Sequence, residues 1–312
     1  FQPWTNRTSR PAKSPAVQRR YTLNGLRNLS SMVSTGSSSP DGGLIGDGGW
    51  VDLSDDWSTV IAEPIGAATW FPSNDHPSDK AIVTVTATVP AGLTAVAGGH
   101  LVERGDGPTT STFRWEATEP MSPYLASLTV GDLQLSEQTG PPGVAVLNAV
   151  PSNEPNLLQG ALSRFPEMLS FFGERFGPYP FVDAGNVVVP GLAPLALEAQ
   201  TRSVLARSIM DPTLGTTPDE VTAHELTHQR PGDAVGPAAW HAIWLNEGFA
   251  TWMATRVMDA WRPALGARIE AVDSAAWARY ADALPTAHAI RQRVTSTGDA
   301  MASFDATTYS KG

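Results

Sequence analysis

The chain has 312 residues, 41% of them hydrophobic, and a formal net charge of −10 at pH 7. That length can bury a sizeable core and suits two domains. The acidic balance excludes a general nucleic-acid role, which needs a positive face, and no run nears the roughly 20 apolar residues that cross a bilayer. Without a single cysteine, redox chemistry does not assign a compartment. The choice between a secreted and a cytoplasmic protein stays open with a lean to secreted, and the oligomeric state is unknown.

Residues 1–48 carry Arg7, Arg10, Lys13, Arg19, Arg20 and Arg27 before the first acidic residue, Asp41. They end in a Ser/Gly-rich stretch, so a poorly structured basic tail is expected. From 49 to 151 the signals are strands and turns. Across residues 82–89, Val83, Val85, Ala87 and Val89 fall on one face and Thr84, Thr86 and Thr88 on the other. Such alternation marks a half-buried antiparallel strand. Gly98-Gly99 and Gly105-Asp106-Gly107-Pro108 punctuate turns. Residues 113–116, 124–130 and 144–150 read as further strands, the last following the turn Gly140-Pro141-Pro142-Gly143.

After Pro151 the period becomes helical. Leu158, Leu162, Phe165, Leu169, Phe172 and Phe176 recur at three- and four-residue steps, an amphipathic helix in spite of Pro166. Residues 186–189 form a short apolar strand. Thr217-Pro218-Asp219-Glu220 combines an N-cap Thr, Pro at the first helical position and Glu at the third. The helix so opened stops before Pro231-Gly232. A downstream helix is expected to bury Leu245, Phe249, Trp252, Met253 and Val257 and to end before Pro263; another spans about 264–283.

The capped helix carries His224-Glu225-Leu226-Thr227-His228. Histidines four apart sit about 40° apart around a helix axis and about one turn apart along it, so both imidazoles can converge on one metal ion. Glu225 lies beside them, placed to touch a metal-bound water. Glu247, nineteen positions after His228, supplies a third ligand. Two histidines and one glutamate leave a fourth tetrahedral position for water, the pattern of a catalytic zinc site. Zinc lowers the pKa of water from about 15.7 to near 7. Glu225 is then the general base that takes the proton and passes it to a leaving amine. A second electrophile is wanted for the developing oxyanion, and tyrosine, with a pKa of about 10, stays a donor at neutral pH.

These residues resemble the zinc aminopeptidases that include aminopeptidase N and leukotriene A hydrolase, a branch of the gluzincin metallopeptidases. The pattern H-E-L-x-H-Q followed by W-L-N-E-G-F-A is held here between His224 and Ala250. The run from Phe171 to Pro180 is similar to the first helix of the family's catalytic domain. Trp70-Phe71-Pro72 and Asp75-His76-Pro77-Ser78-Asp79-Lys80 are similar to its β-domain segment in bacterial members. The likeness covers about residues 48–312. It implies an α+β fold, with an antiparallel β-sheet N-terminal domain at 49–151 and a mostly helical, thermolysin-like catalytic domain at 152–312.

It further implies one zinc ion per chain and peptide substrates with a free N-terminus, whose first residue is removed. The family's G-A-M-E-N run corresponds to Leu195-Ala196-Leu197-Glu198-Ala199, where Ala196 and Glu198 agree. The implied role of Glu198 is to hold the substrate amine. Glu63, in Glu63-Pro64-Ile65-Gly66-Ala67, resembles the β-domain residue that also faces it. Tyr309-Ser310-Lys311-Gly312 resembles the Y-x-K-G run whose tyrosine stabilises the tetrahedral intermediate. Arg230-Pro231-Gly232 stands where the family has W-F-G, and Ala242 where it often has Asp. Against the family the chain reads as truncated at both ends, which would leave apolar faces such as that of the Glu247 helix partly uncovered. Two alternatives remain: a zinc endopeptidase or epoxide hydrolase on the same metal, and a weakly active or inactive homologue acting as a binding module.

Overall fold

The computed structural model describes residues 17–23, 49–211, 218–261, 283, 292–304 and 306–311. Strands β1 (Val17–Leu23), β2 (Gly49–Ser54), β3 (Trp57–Ile61), β4 (Ala81–Pro90), β5 (Thr94–Ala97), β6 (His100–Asp106), β7 (Thr110–Glu116) and β8 (Leu128–Gly131) build two sheets. Their orders are β1-β4-β7-β6 and β2-β3-β8-β5. Val83, Val85, Ala87 and Val89 of β4 are all buried, as the alternation predicts. They share one core with Phe113 and Trp115 of β7 and with Val60, Val96, Leu128 and Val130 of the second sheet.

Two expectations for this half need correction. β1 lies inside the stretch expected to be unstructured, yet it pairs parallel with β4, from Val17 opposite Ala81 to Leu23 opposite Ala87. Its Val17, Tyr21 and Thr22 favour strands, a signal that the surrounding arginines obscure. At 124–130 the strand begins only at Leu128, because Pro123 opens a 3-10 turn over Pro123–Leu125. The fixed φ of proline suits that turn and disfavours a paired strand.

A third sheet comprises β9 (Leu133–Thr139), β10 (Ala145–Pro151), β11 (Asp183–Ala184), β12 (Asn186–Val189), β13 (Ala196–Leu197) and β14 (Ser203–Ala206). Its order is β11-β10-β12-β14-β13, with β9 on β10; β12 runs parallel to β10 and to β14. β9 and β10 therefore join the later strands although they precede residue 152 in sequence. β12 is apolar on both faces: Val187 and Val189 enter the shared core, while Val188 packs with Leu162 and Leu205. A continuous valine run is what a strand covered on both sides requires. Sequence periodicity anticipates β12 but not β11, β13 or β14, which are two to four residues long and too short to show a period.

Among the described residues the continuous helices are α1 (Ala161–Phe176), α2 (Pro218–His228), α3 (Ile243–Trp261), α4 (Thr297–Ala302) and α5 (Ala306–Lys311). The fold is α+β, an antiparallel-sheet N-terminal half followed by a half that carries the helices. Leu158 belongs to a 3-10 turn, Pro155–Leu158, and α1 starts after Gly160. Pro166 lacks the N–H that would bond the Leu162 carbonyl. Gln138 fills the vacancy, its Nε2 donating to that carbonyl at 3.1 Å. Gln138 Oε1 accepts from Asn148, and Asn148 Oδ1 accepts from Asn186, each at 3.0 Å. A relay from the sheet thus sustains the helix over its proline. Arg164 of α1 clamps Asp219 of α2 bidentately at 2.6–3.1 Å.

α2 starts at Pro218 and ends at His228, ahead of Pro231-Gly232. The proposed N-cap, Thr217, and the helix expected over 264–283, except position 283, lie outside the described residues. α3 overturns the expected burial: Leu245, Phe249 and Trp252 are 41–53% exposed, whereas Met253 is buried. The inward face holds Ile243, Asn246, Glu247, Ala250 and Ala254, a stripe at i, i+3, i+4, i+7 and i+11. Facing Glu247 toward α2 turns Leu245, Phe249 and Trp252 outward. The side chain of Val257 is outside the description. Among the described residues no helix is long and apolar enough to cross a membrane.

Candidate metal centre and active site

α2 and α3 pack so that the two histidines of one meet the glutamate of the other. His224 Nε2 and His228 Nε2 lie 3.0 Å apart, and each is 3.4 Å from Glu247 Oε2. A tetrahedral zinc ion with bonds of about 2.0–2.1 Å has ligand–ligand edges of about 3.3–3.4 Å. Two imidazole nitrogens facing each other can hold only one proton between them, so a divalent cation satisfies the trio better. The donor set and its spacing fit zinc.

All eight residues singled out from the sequence line one cavity of about 490 Å3: Glu63, Ala196, Glu198, His224, Glu225, His228, Glu247 and Tyr309. Glu63 comes from the loop after β3, Ala196 from β13, Glu198 from the turn beyond it and Tyr309 from α5. Carboxylate oxygens of Glu63, Glu198 and Glu247 lie within 4.8 Å of one another. The Tyr309 ring stacks on His224 with centroids 6.3 Å apart.

Charge inside this cavity is heavily perturbed. Burial pushes the carboxyl groups of Glu63 and Glu225 well above the usual range; the fields of Glu198 and Glu247 add to it at both, while His228 pulls Glu225 the other way. Glu198 is raised by burial too, with His228 pulling the other way. Burial also disfavours charge on Glu247, but the imidazoles of His228 and His224 overcome that and hold it ionised. His228 is the counterpart: burial opposes its proton, and Glu247, Glu198 and Glu225 outweigh burial. A metal ion entering such a site replaces that proton. Burial and the nearby glutamates, Glu247 first, keep the Tyr309 hydroxyl protonated far above neutrality.

Residues 161–312 match the family described as Peptidase family M1 domain, and residues 58–125 match its companion, the Peptidase M1 N-terminal domain. The chain belongs to peptidase family M1. It is 29% identical over 258 residues to Aminopeptidase M1-D of Oryza sativa subsp. japonica, covering 80% of this chain and 30% of that protein. To Aminopeptidase N of Acetobacter pasteurianus it is 31% identical over 204 residues, 61% of this chain and 56% of the relative. A mutant M1 zinc metallopeptidase from Deinococcus radiodurans, bound to a Tyr-Ser-Ala substrate, superposes with a TM-score of 0.72 at 28% identity. That likeness covers 88% of this chain and 60% of the other. The chain thus spans about 30% of the length of the plant relative.

In this M1 chain the residue after the metal helix ties the site together. Gln229 Nε2 donates to the Glu198 carbonyl at 3.0 Å, and Gln229 Oε1 accepts from Thr201 N at 2.8 Å. Thr201 takes a left-handed φ of 68°, uncommon for a β-branched residue; its hydroxyl accepts from Gly99 N at 2.7 Å. Arg202, fully buried, donates to the carbonyls of Ala97, Gly99 and Leu147. These contacts fix the Glu198 turn against both the β half and α2. Lys80 donates to the Asp233 carbonyl just after α2.

Sequence reasoning missed several neighbours of the site. Tyr124 is buried with its hydroxyl unpartnered, and Asp233 is buried with both carboxylate oxygens unpartnered. Neither stands in a motif whose spacing announces it. Glu220, which the sequence suggests only as a capping residue, lines the cavity with Ile209, Val221 and Phe304. The helical step from His224 back to Glu220 is four residues, which puts both on one face; that signal was available.

Proposed function

We propose that this chain carries the catalytic centre of a zinc aminopeptidase that hydrolyses the N-terminal residue from peptides. The observation that carries the reading is the pair Glu63 and Glu198. Both are buried, each has an oxygen without a hydrogen-bond partner, and both adjoin Glu247 of the metal trio. Buried carboxylates call for a cation, and the α-ammonium of a peptide is one that also sets the first carbonyl beside the metal ligands. The names of the M1 relatives, aminopeptidases and zinc metallopeptidases, support the same reading. So does the placement of Glu63 in the antiparallel-sheet half and of the other site residues in the half that carries the helices.

His224, His228 and Glu247 hold the zinc, one ion per chain. When bound, zinc supplies Lewis acidity, polarising a carbonyl and acidifying water. Glu225 accepts the proton of the attacking water and returns it to the leaving nitrogen. Tyr309 donates its hydroxyl to the oxygen that gains charge. Among the described residues β13 is an edge strand, paired on one side to β14. Its Ala196 borders the cavity, so an extended peptide can align along that edge.

The test compares a leucyl-anilide with its N-acetyl derivative. The free amine is expected to be cleaved and the blocked one not, with Glu198→Gln raising KM for the free form. An N-acetylated substrate cut as fast as the free one ends the amine-clamp reading and points to an endopeptidase. Stoichiometric zinc with no hydrolysis of any aminoacyl-anilide points instead to a binding module.

A further inference from the structure

Lys80 belongs to the β half, one residue before β4, and its side chain crosses to the turn behind the metal helix. Its backbone has a firm base, because the neighbouring Ala81 exchanges both main-chain hydrogen bonds with Met121, at 2.9 and 3.0 Å. From there the ammonium donates to the Asp233 carbonyl, 153 positions away in sequence. Gly236 makes room for it. A side-chain carbon at position 236 would stand 3.1 Å from Lys80 Nζ and 2.7 Å from the Gly232 carbonyl oxygen. Lys80 is half-buried, and an ammonium drawn out of water needs such an acceptor.

The turn it reaches, residues 231–236, lies directly against His228. Asp233 N donates to the His228 carbonyl at 2.9 Å, and Val235 N to the Arg230 carbonyl at 3.0 Å. Gly232 has a φ of 132°, a value that glycine adopts without steric cost. A side-chain carbon there would meet the His228 carbonyl oxygen at 2.9 Å and His228 Nδ1 at 3.3 Å. The backbone of the turn therefore packs on the outer edge of the imidazole, while Nε2 faces Glu247 Oε2 at 3.4 Å. His228 Nδ1 is buried and makes no hydrogen bond. A metal-binding histidine is usually oriented by a bond from its outer nitrogen. At His228 that part falls to the packed turn, and what fixes the turn fixes the ring.

We infer that Lys80 is a positioning residue for His228: from the β half it pins the turn that sets the angle of a metal-binding imidazole. The β half then takes part in metal retention, although all three ligands stand on helices of the other half. The inference rests on His228 being a zinc ligand and is independent of which peptide bond is cut.

The experiment follows zinc leaving the loaded chain for an excess of chromogenic chelator, well below the unfolding temperature. Lys80→Met keeps the stem and removes the donor. Lys80→Gln, polar and one bond shorter, is the second variant should the first not fold. Val85→Ala, which thins the buried face of β4, controls for general loss of stability. Losing an outer contact to a metal-binding histidine costs about 10- to 100-fold in affinity, and a contact acting through a turn belongs at the low end. Zinc should leave either lysine variant about tenfold faster than the parent, and the visible spectrum of the cobalt-substituted chain should change. Val85→Ala should leave both near the parent values, even if its denaturant midpoint falls as far. Release within about twofold of the parent overturns the inference, as does equal acceleration by Val85→Ala. An unchanged cobalt spectrum overturns it too, because the ring would not have moved. A parent that holds no zinc removes His228 from the ligand set and the inference with it. Leucyl-anilide turnover reports on the peptidase reading separately, since zinc release is measured without substrate.

Discussion

Glu225→Gln separates chemistry from architecture in this site. The substitution exchanges one carboxylate oxygen for an amide nitrogen at nearly constant volume. The mutually close ligand atoms belong to His224, His228 and Glu247, not to Glu225, so zinc should stay at one ion per chain after dialysis. A positioned general base contributes about 100- to 10,000-fold, equivalent to about 3–5 kcal/mol of barrier. Turnover of a leucyl-anilide should fall by that factor. Glu225 is 5% exposed, and burial pushes its carboxyl well above the usual range; an amide there carries no charge for burial to penalise. The variant should therefore melt at the same temperature as the parent or higher. Turnover within about tenfold of the parent at full zinc would refute the general-base role, because such a loss is below the range a base supplies. Loss of zinc would instead make Glu225 a ligand.

Removing a ligand should look different: His228→Ala is expected to lose zinc on dialysis, and retained stoichiometric zinc would exclude His228 from the ligand set. The metal-free chain should grow less stable with rising pH. Glu63, Glu198, Glu225 and Asp233 have raised pKa values in the fold, through burial first. The native state then holds more protons than the unfolded chain, and stability falls as pH climbs. His228, also raised, acts in the same direction above the ordinary histidine value of about 6.5. His224, lowered by burial, opposes only as pH drops below that value. With chelator the melting temperature should be higher at about pH 6.5 than at about pH 8; a flat profile would contradict the buried acid cluster. Gln138→Ala should cost about 1–3 kcal/mol in denaturant unfolding, since it strands both the Leu162 carbonyl and the Asn148 amide. Arg202→Met should cost at least as much by leaving three carbonyls without their donor, and an unchanged midpoint would refute that accounting.

The parts of this protein that were legible in advance depend on neighbours close in sequence. An i, i+4 histidine pair needs only the helix pitch to converge, and the proline and acidic residues that open α2 act within its first turn. The alternation of β4 was readable for the same reason, as each valine needs only its neighbours two residues away to share a face. The α3 face was misjudged because a run such as Leu245, Phe249 and Trp252 satisfies a helical period whichever side is buried. Only the contact with α2 makes Glu247 the inward residue.

The sequence by itself determined the helix that carries the histidine pair, the glutamate that meets both imidazoles and the α+β order of the chain. The tertiary structure decided that Glu63 meets Glu198, that Gln138 stands under the proline of α1, and that Glu220 lines the cavity. Those pairings join residues from separate elements; at the Glu198 turn, Thr201 and Arg202 bond to Gly99 across the two halves while Gln229 ties the turn to α2. Periodicity reports which residues share a face; it carries no information about what that face will meet.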